Sequence, residues 1–313
     1  MISWRYHVVS IVAVVLALGL GLLAGTSVVG DRFIQQLQEN YRRARQQRDA
    51  ALATVSLYER FATALQPTLR DGALTGHDAV VLTVEGVDGS ARRTADEIGA
   101  AGADVVATLT LTRRLVQADT EADATVIQDV LGTTERDPGV LRERIADELA
   151  VRLAAGAGVD PSDDFLGRLL SEGLITSDRD LDPSTLAGVG GGGELIVLES
   201  GGDPPPDLPG PSALLVPLTQ RLMRLGAAVA VVGPTEDGYG LVSEVRDAPG
   251  IPDCSVVTVD DVDLTMGGIA LAMGVRRYFD DPDPSVRPGG DYGVSGDAIL
   301  PGAADPPDSC RVA

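Results

Sequence analysis

The run Ala79-Val80-Val81-Leu82-Thr83-Val84 decides the fold: five of its six residues are apolar, with Gly76-His77-Asp78 before it and Glu85-Gly86 after it. A short continuous apolar run between turn residues reads as a strand buried on both faces, as in parallel sheets. Ser90 to Ala101 follows with helical spacing, then Gly102 and a second strand, Asp104 to Leu109. The rhythm returns with Glu194 to Leu198 as a strand, Ser212 to Leu225 as a helix and Ala227 to Val232 as a strand. Ser255 to Val259 adds a strand and Leu264 to Tyr278 a helix. Short apolar strands alternating with helices predict an α/β fold, a Rossmann-like domain with a parallel sheet between helices, over residues 70–279.

Between the two strand–helix–strand units, Ala118 to Leu131, Val140 to Ala155 and Asp163 to Glu172 read as helices. Residues 280–313 form a tail rich in Pro, Gly and Asp, which reads as loop or disorder.

Working toward the other end, residues 31–66 read as a coiled-coil stalk. Heptad a and d positions fall at Ile34, Leu37, Tyr41, Ala44, Arg48, Ala51, Val55, Tyr58, Ala62 and Leu65, and all but Arg48 are apolar, small or aromatic. That pattern predicts pairing of two helices, with a single amphipathic helix packed on its own domain as the alternative. Pro67, which lacks an N–H and clashes with the preceding turn, is expected to end the helix.

Residues 1–30 carry an uncharged, mostly apolar run, Val8 to Val29. Its 22 residues, at about 1.5 Å each, span a hydrocarbon core of roughly 30 Å. The run exceeds an ordinary signal h-region and no A-x-A site closes it, so an uncleaved single-pass anchor is expected over a cleaved signal peptide. Ala13, Ala17, Gly21 and Gly25 recur every four residues, a small-residue face that lets two membrane helices approach closely. Together with Ile34, Leu37, Tyr41 and Val55 they form the expected dimerisation surface of a homodimer. Arg32, Arg42, Arg43, Arg45 and Arg48 follow the run while Arg5 alone precedes it, so the positive-inside rule places the α/β domain in the cytoplasm.

Composition narrows the function classes. About 280 residues follow the apolar run, enough for one large or two ordinary domains. Aromatic residues make up only 4%, so the core is built from Val, Leu, Ile and Ala. All 25 basic residues are arginine, and a formal charge of −21 repels phosphate, which argues against nucleic-acid binding. Cys254 and Cys310 are an even pair: outside the cytoplasm a candidate disulfide, inside it two ordinary thiols.

No residue set names a reaction, and none marks a cofactor. Gly188-Val189-Gly190-Gly191-Gly192-Gly193 has the dinucleotide-fingerprint spacing but precedes a strand, where a connector is expected. After the first strand, Glu85-Gly86-Val87-Asp88-Gly89-Ser90 places two acids where a phosphate would sit. Copper or zinc ligation needs clustered Cys, His or Met, and the chain has two His, two Cys and four Met. Met266 and Met273, seven apart on one helix, read as core. Asp260, Asp261 and Asp263 stand where a strand hands over to a helix, which predicts capping, and Asp280, Asp281 and Asp283 suit at most weak hard-cation binding. With two histidines a catalytic triad has no source, so no enzyme is expected. A transmembrane β-barrel lacks its repeated alternating segments.

Met1-Ile2-Ser3, Arg5, His7, Val9-Ser10 and Ala17-Leu18-Gly19-Leu20-Gly21 resemble the MctB family of actinobacterial envelope proteins. Gln47-Arg48-Asp49-Ala50, Leu109-Thr110-Leu111-Thr112, Thr258 to Asp263 and Asp291-Tyr292-Gly293 are similar to the same family in register. The family is named for copper transport in the outer membrane. The resemblance implies export of the domain, against the arginine count, and a role in copper efflux or homeostasis across the cell envelope. Relatives tied to cell division imply the alternative, a dimeric coiled-coil scaffold or regulator of cell-wall or division partners. Copper enters only through the resemblance, and the resemblance places no metal ligand on this sequence. Export tilts Cys254 and Cys310 toward a bridge.

Overall fold

The computed structural model describes residues 4–156, 164–179, 181–191, 193–252, 255–280, 289–296 and 298–301, with backbone alone for 24–35 and Pro183. The chain divides into two compact units, Met1–Arg60 and Phe61–Ala313.

The first unit is helical. Helix α1 (Trp4–Leu69) supplies it, and the helix's last turns, from Phe61, belong to the second unit. Trp4–Leu23 has a mean hydropathy of 2.3, is wholly unburied, and is long and apolar enough to cross a membrane. Pro67 does not end the helix as the sequence suggests: it lies inside, and the helix runs on to Leu69. Pro67 loses the hydrogen bond of its missing N–H and crowds the preceding turn, but only Thr68 and Leu69 follow it in the helix, so little continuation has to be sustained. Beyond Phe61, Ala62 is fully buried within the second unit, and Arg70 reaches Glu97 at 2.9 Å.

The second unit is built on one seven-stranded sheet. Its strands are β1 (Asp78–Val84), β2 (Asp104–Leu111), β3 (Ile175–Ser177), β4 (Leu195–Glu199), β5 (Ala228–Val232), β6 (Val257–Val259) and β7 (Gly290–Tyr292). Their order is β3-β2-β1-β4-β5-β6-β7, and only the β2–β3 pair is antiparallel. The chain winds outward from β1 in both directions, so the topological switch lies between β1 and β4.

Alternation along each strand feeds two cores. Val80, Leu82 and Val84 join one large cluster, while Ala79 and Val81 join a second. The second is covered by α2 (Ala91–Ala100) and α10 (Thr265–Asp280), through Ile98, Ala270, Leu271 and Val275. The first is covered by α3 (Arg113–Gln117), α4 (Glu121–Leu131), α5 (Pro138–Ala155), α6 (Phe165–Ser171), α7 (Pro183–Gly188), α8 (Leu215–Leu225) and α9 (Leu241–Arg246). A mostly parallel sheet between helices is the expected architecture.

Local chemistry sets the helix starts. Thr120, Asp137, Asp164 and Asp182 cap α4, α5, α6 and α7 by accepting hydrogen bonds from first-turn N–H groups. The helix expected from Ala118 starts instead at Glu121, as α4, because Ala118 turns left-handed (φ 51°) and ends the short helix α3, which the sequence reading did not include. Helices α7 and α9 and two strands also depart from the sequence reading. The short edge strand β3 lies in the long excursion between β2 and β4, and β7 lies in the segment read as loop or disorder. Three residues carry too little periodicity to announce a strand, and β7 exists because it completes the edge of β6.

Candidate functional site

In open α/β sheets, ligands bind beyond the carboxyl ends of the strands at the switch point. Here that place lies beyond β1 and β4, and the chain's own side chains fill it. Glu199, the last residue of β4, is fully buried. Its Oε1 accepts a hydrogen bond from the Ser90 hydroxyl, which leaves α2 without the side-chain cap that serine usually provides. Burial pushes the Glu199 carboxyl up to about 7; the Ser90 and Thr83 hydroxyls offset part of this, and the Asp237 and Asp88 charges add to it.

The loops above Glu199 are tied together. Gly201 N–H donates to Val87 C=O at 2.7 Å, and Asp88 and Gly201 form a parallel bridge. Glu85 accepts the Arg113 N–H at 2.9 Å. A phosphate would meet carboxylates and closed loops here. The glycine run offers no alternative cradle: Gly188 ends α7, and Gly191 N–H donates to Leu153 C=O at the end of α5 before the chain enters β4. Gly192 lies outside the described residues.

A second polar cluster lies beyond β5 and β6. Asp237 accepts from the Ser200 hydroxyl at 3.0 Å and from Gly240 N–H at 3.0 Å. Arg246, on α9, donates to Asp260 Oδ2 at 2.9 Å, to Thr258 Oγ1 at 2.8 Å and to Tyr292 C=O at 2.9 Å. Ser295 donates to Asp260 Oδ2 from its N–H at 2.8 Å and from its hydroxyl. Burial alone would raise Asp260, but the bonds from Ser295 and Arg246 outweigh it and hold this carboxyl below its ordinary value. Its neighbour Asp261 goes the other way, up to about 6, through burial and then the Asp260 and Asp263 charges. Thr235, Asp237, Ser243, Asp260 and Ser295 line a crevice of about 200 Å³.

The capping role expected of this aspartate trio is therefore not where their carboxylates go. Asp260 binds Arg246 and Ser295, and Asp263 accepts the Thr235 N–H and hydroxyl, the former at 2.6 Å. Asp280 pairs with Arg276 at 3.1 Å; Asp281 and Asp283 lie outside the described residues. Between α2 and β2, a polar groove of about 840 Å³ is lined by Arg92, Asp96, Asp104, Thr108, Asp178 and Arg179, among others.

On α1, Ala13, Ala17 and Gly21 are exposed, and so are Leu37, Tyr41 and Val55. The side chains of Gly25 and Ile34 lie outside the described residues, as do Cys254 and Cys310. Among the described residues, no three His, Cys, Asp or Glu side chains gather as a metal centre. Sequence reading missed Glu199, Arg246 and Ser295. Only Glu199 carried a signal: an acid that closes a buried apolar strand at its carboxyl end.

The family described as copper transport outer membrane protein, MctB, matches residues 1–301. Proteins named copper transporter MctB from Mycobacterium bovis and Mycobacterium tuberculosis are 32% identical over 127 residues, which is 38% of this chain and 40% of theirs. The match thus spans two-fifths of the length of those relatives. The family match takes in both the apolar helix and nearly all of the sheet domain, and the chain belongs to the MctB family.

Proposed function

We propose that this chain is a membrane-anchored protein of the cell envelope that serves copper efflux or homeostasis, with its α/β domain exported. The observation that carries the reading is the family match over residues 1–301, which includes the Trp4–Leu23 span as well as the sheet. Lipid would cover a helix segment that is wholly unburied among the described residues. Two histidines, two cysteines and four methionines are few soft ligands for a copper path. Copper is accordingly read as the cargo of an assembly this chain belongs to, and not as an ion resident in its core.

The assembly proposed is a homodimer. Leu37, Tyr41, Val55 and Tyr58 are 52–69% exposed at heptad positions of α1, and a second copy of the same helix would cover them. The same pairing would serve a scaffold for cell-wall or division partners, the alternative drawn from the sequence. The test is deletion of the gene and growth in graded copper. The intact chain is expected to restore copper tolerance and lower cell-associated copper, while a chain lacking residues 4–23 fails to do so. Unchanged copper tolerance after deletion, with a cell-shape or division defect in its place, would overturn copper homeostasis in favour of the scaffold.

A further inference from the structure

Asp260 and Asp261 follow β6 directly and are 8% and 3% exposed. Asp260 Oδ2 is occupied by Arg246 and Ser295, but Asp260 Oδ1 and Asp261 Oδ1 are buried and have no hydrogen-bond partner. A buried carboxylate oxygen without a partner is costly, so two side by side call for a positive charge between them.

Both oxygens turn toward the same space. A Cβ on Gly293 would overlap Asp260 Oδ1 and stand 3.0 Å from Asp261 Oδ1, and a Cβ on Gly267 would stand 2.6 Å from Asp261 Oδ1. Gly293 also has φ +111°, so its backbone and its lack of a side chain are both needed there. Arg246 sits on the far oxygen of Asp260, at 2.9 Å from Oδ2, and leaves Asp260 Oδ1 to face Asp261. Asp260 also lines the crevice of about 200 Å³.

We propose that Asp260 Oδ1 and Asp261 Oδ1 hold a hard divalent cation of the calcium, magnesium and manganese class, with water completing its coordination. An all-oxygen donor set selects such ions over soft metals. With only two protein oxygens, affinity in the range of about 0.1–1 mM is expected, as in weak extracellular calcium modules. The ion would clamp the turn after β7, through Gly293, onto the start of α10, through Gly267. This inference does not rest on the copper reading, and copper tolerance does not report on it.

The experiment uses the full chain in detergent micelles at pH 7, with ionic strength matched by sodium chloride. Calcium, magnesium or manganese at about 5 mM is expected to raise the unfolding temperature by roughly 3 °C over a chelator control. Asp261→Asn should abolish that rise, and Asp263→Asn, outside the site, should keep it. Should Asp261→Asn fail to fold, terbium luminescence decides on folded protein: tyrosine-sensitised emission should be displaced by calcium and fall in Tyr292→Phe. Equal rises in wild type and Asp261→Asn, no rise with any of the three ions, a rise with copper alone, or terbium emission that Tyr292→Phe leaves unchanged would each overturn the proposal.

Discussion

The two units use the same apolar residues in opposite ways. In Trp4–Leu23, Val, Leu and Ile side chains are exposed throughout, with Leu16 at 59% and Leu20 at 64%. In the second unit, Leu82, Leu109, Leu149 and Leu198 have no exposure at all. A helix satisfies its own backbone and can stand alone in lipid, whereas a strand must pair sideways and be covered on both faces. The lesson is that apolar content does not say where a residue is buried. The element's hydrogen-bonding needs decide whether its partner is the chain itself or something outside it.

Breaking the interior of the second unit should give the largest effect. Arg152 and Asp164 form a buried ion pair, and Arg152 also donates to Leu186 C=O at 2.9 Å. Asp164→Ala should cost about 3–5 kcal/mol, because it strands a buried guanidinium and removes the α6 cap. Leu18→Ala on the exposed helix should leave the unfolding of the domain unchanged. Urea unfolding of both variants in micelles, followed by far-UV circular dichroism, measures the contrast.

A pH series sharpens the comparison, because among the described residues the buried acids lie in the second unit. Glu194 and Glu199 are both raised to about 7, with burial the first cause in each. The folded state therefore holds protons that the unfolded chain has released, and stability falls as pH rises from about 4.5 to about 7. Each group contributes at most about 3 kcal/mol over that window. The urea midpoint should be higher at pH 5.5 than at pH 7.5. Glu199→Gln, which keeps the shape without the charge, should raise the pH 7.5 midpoint and flatten the profile. An unchanged profile in Glu199→Gln would place the dependence elsewhere in the acidic surface.

The smallest effect on folding, though not on assembly, is expected in α1. Leu37→Glu with Val55→Glu puts like charges on a face that a second copy would desolvate. The domain should unfold as before while sedimentation shifts from dimer to monomer. Wild type that is already monomeric at high micromolar concentration would remove the coiled coil from the account.

Most of the strand–helix rhythm was legible, because runs such as Ala79–Val84 and Ala227–Val232 are continuous and apolar between turn residues. Pro67 misled, since a proline's effect depends on how many turns of helix follow it. The edge strands β3 and β7 were invisible, because three residues acquire strand geometry from a neighbour rather than from their own pattern. The polar clusters were only partly visible. Thr258 to Asp263 was singled out, but its partners Arg246 and Ser295 come from other segments and meet it only in the folded chain.

By itself, the sequence determined the apolar span, the α/β class and the poverty of soft metal ligands, because periodicity and residue counts are local properties. The tertiary structure alone decided that Glu199 fills the switch-point crevice and that two orphaned carboxylate oxygens face Gly293. Both depend on which strand ends lie side by side, and strand order is set by packing across the whole sheet, not by any single stretch of chain.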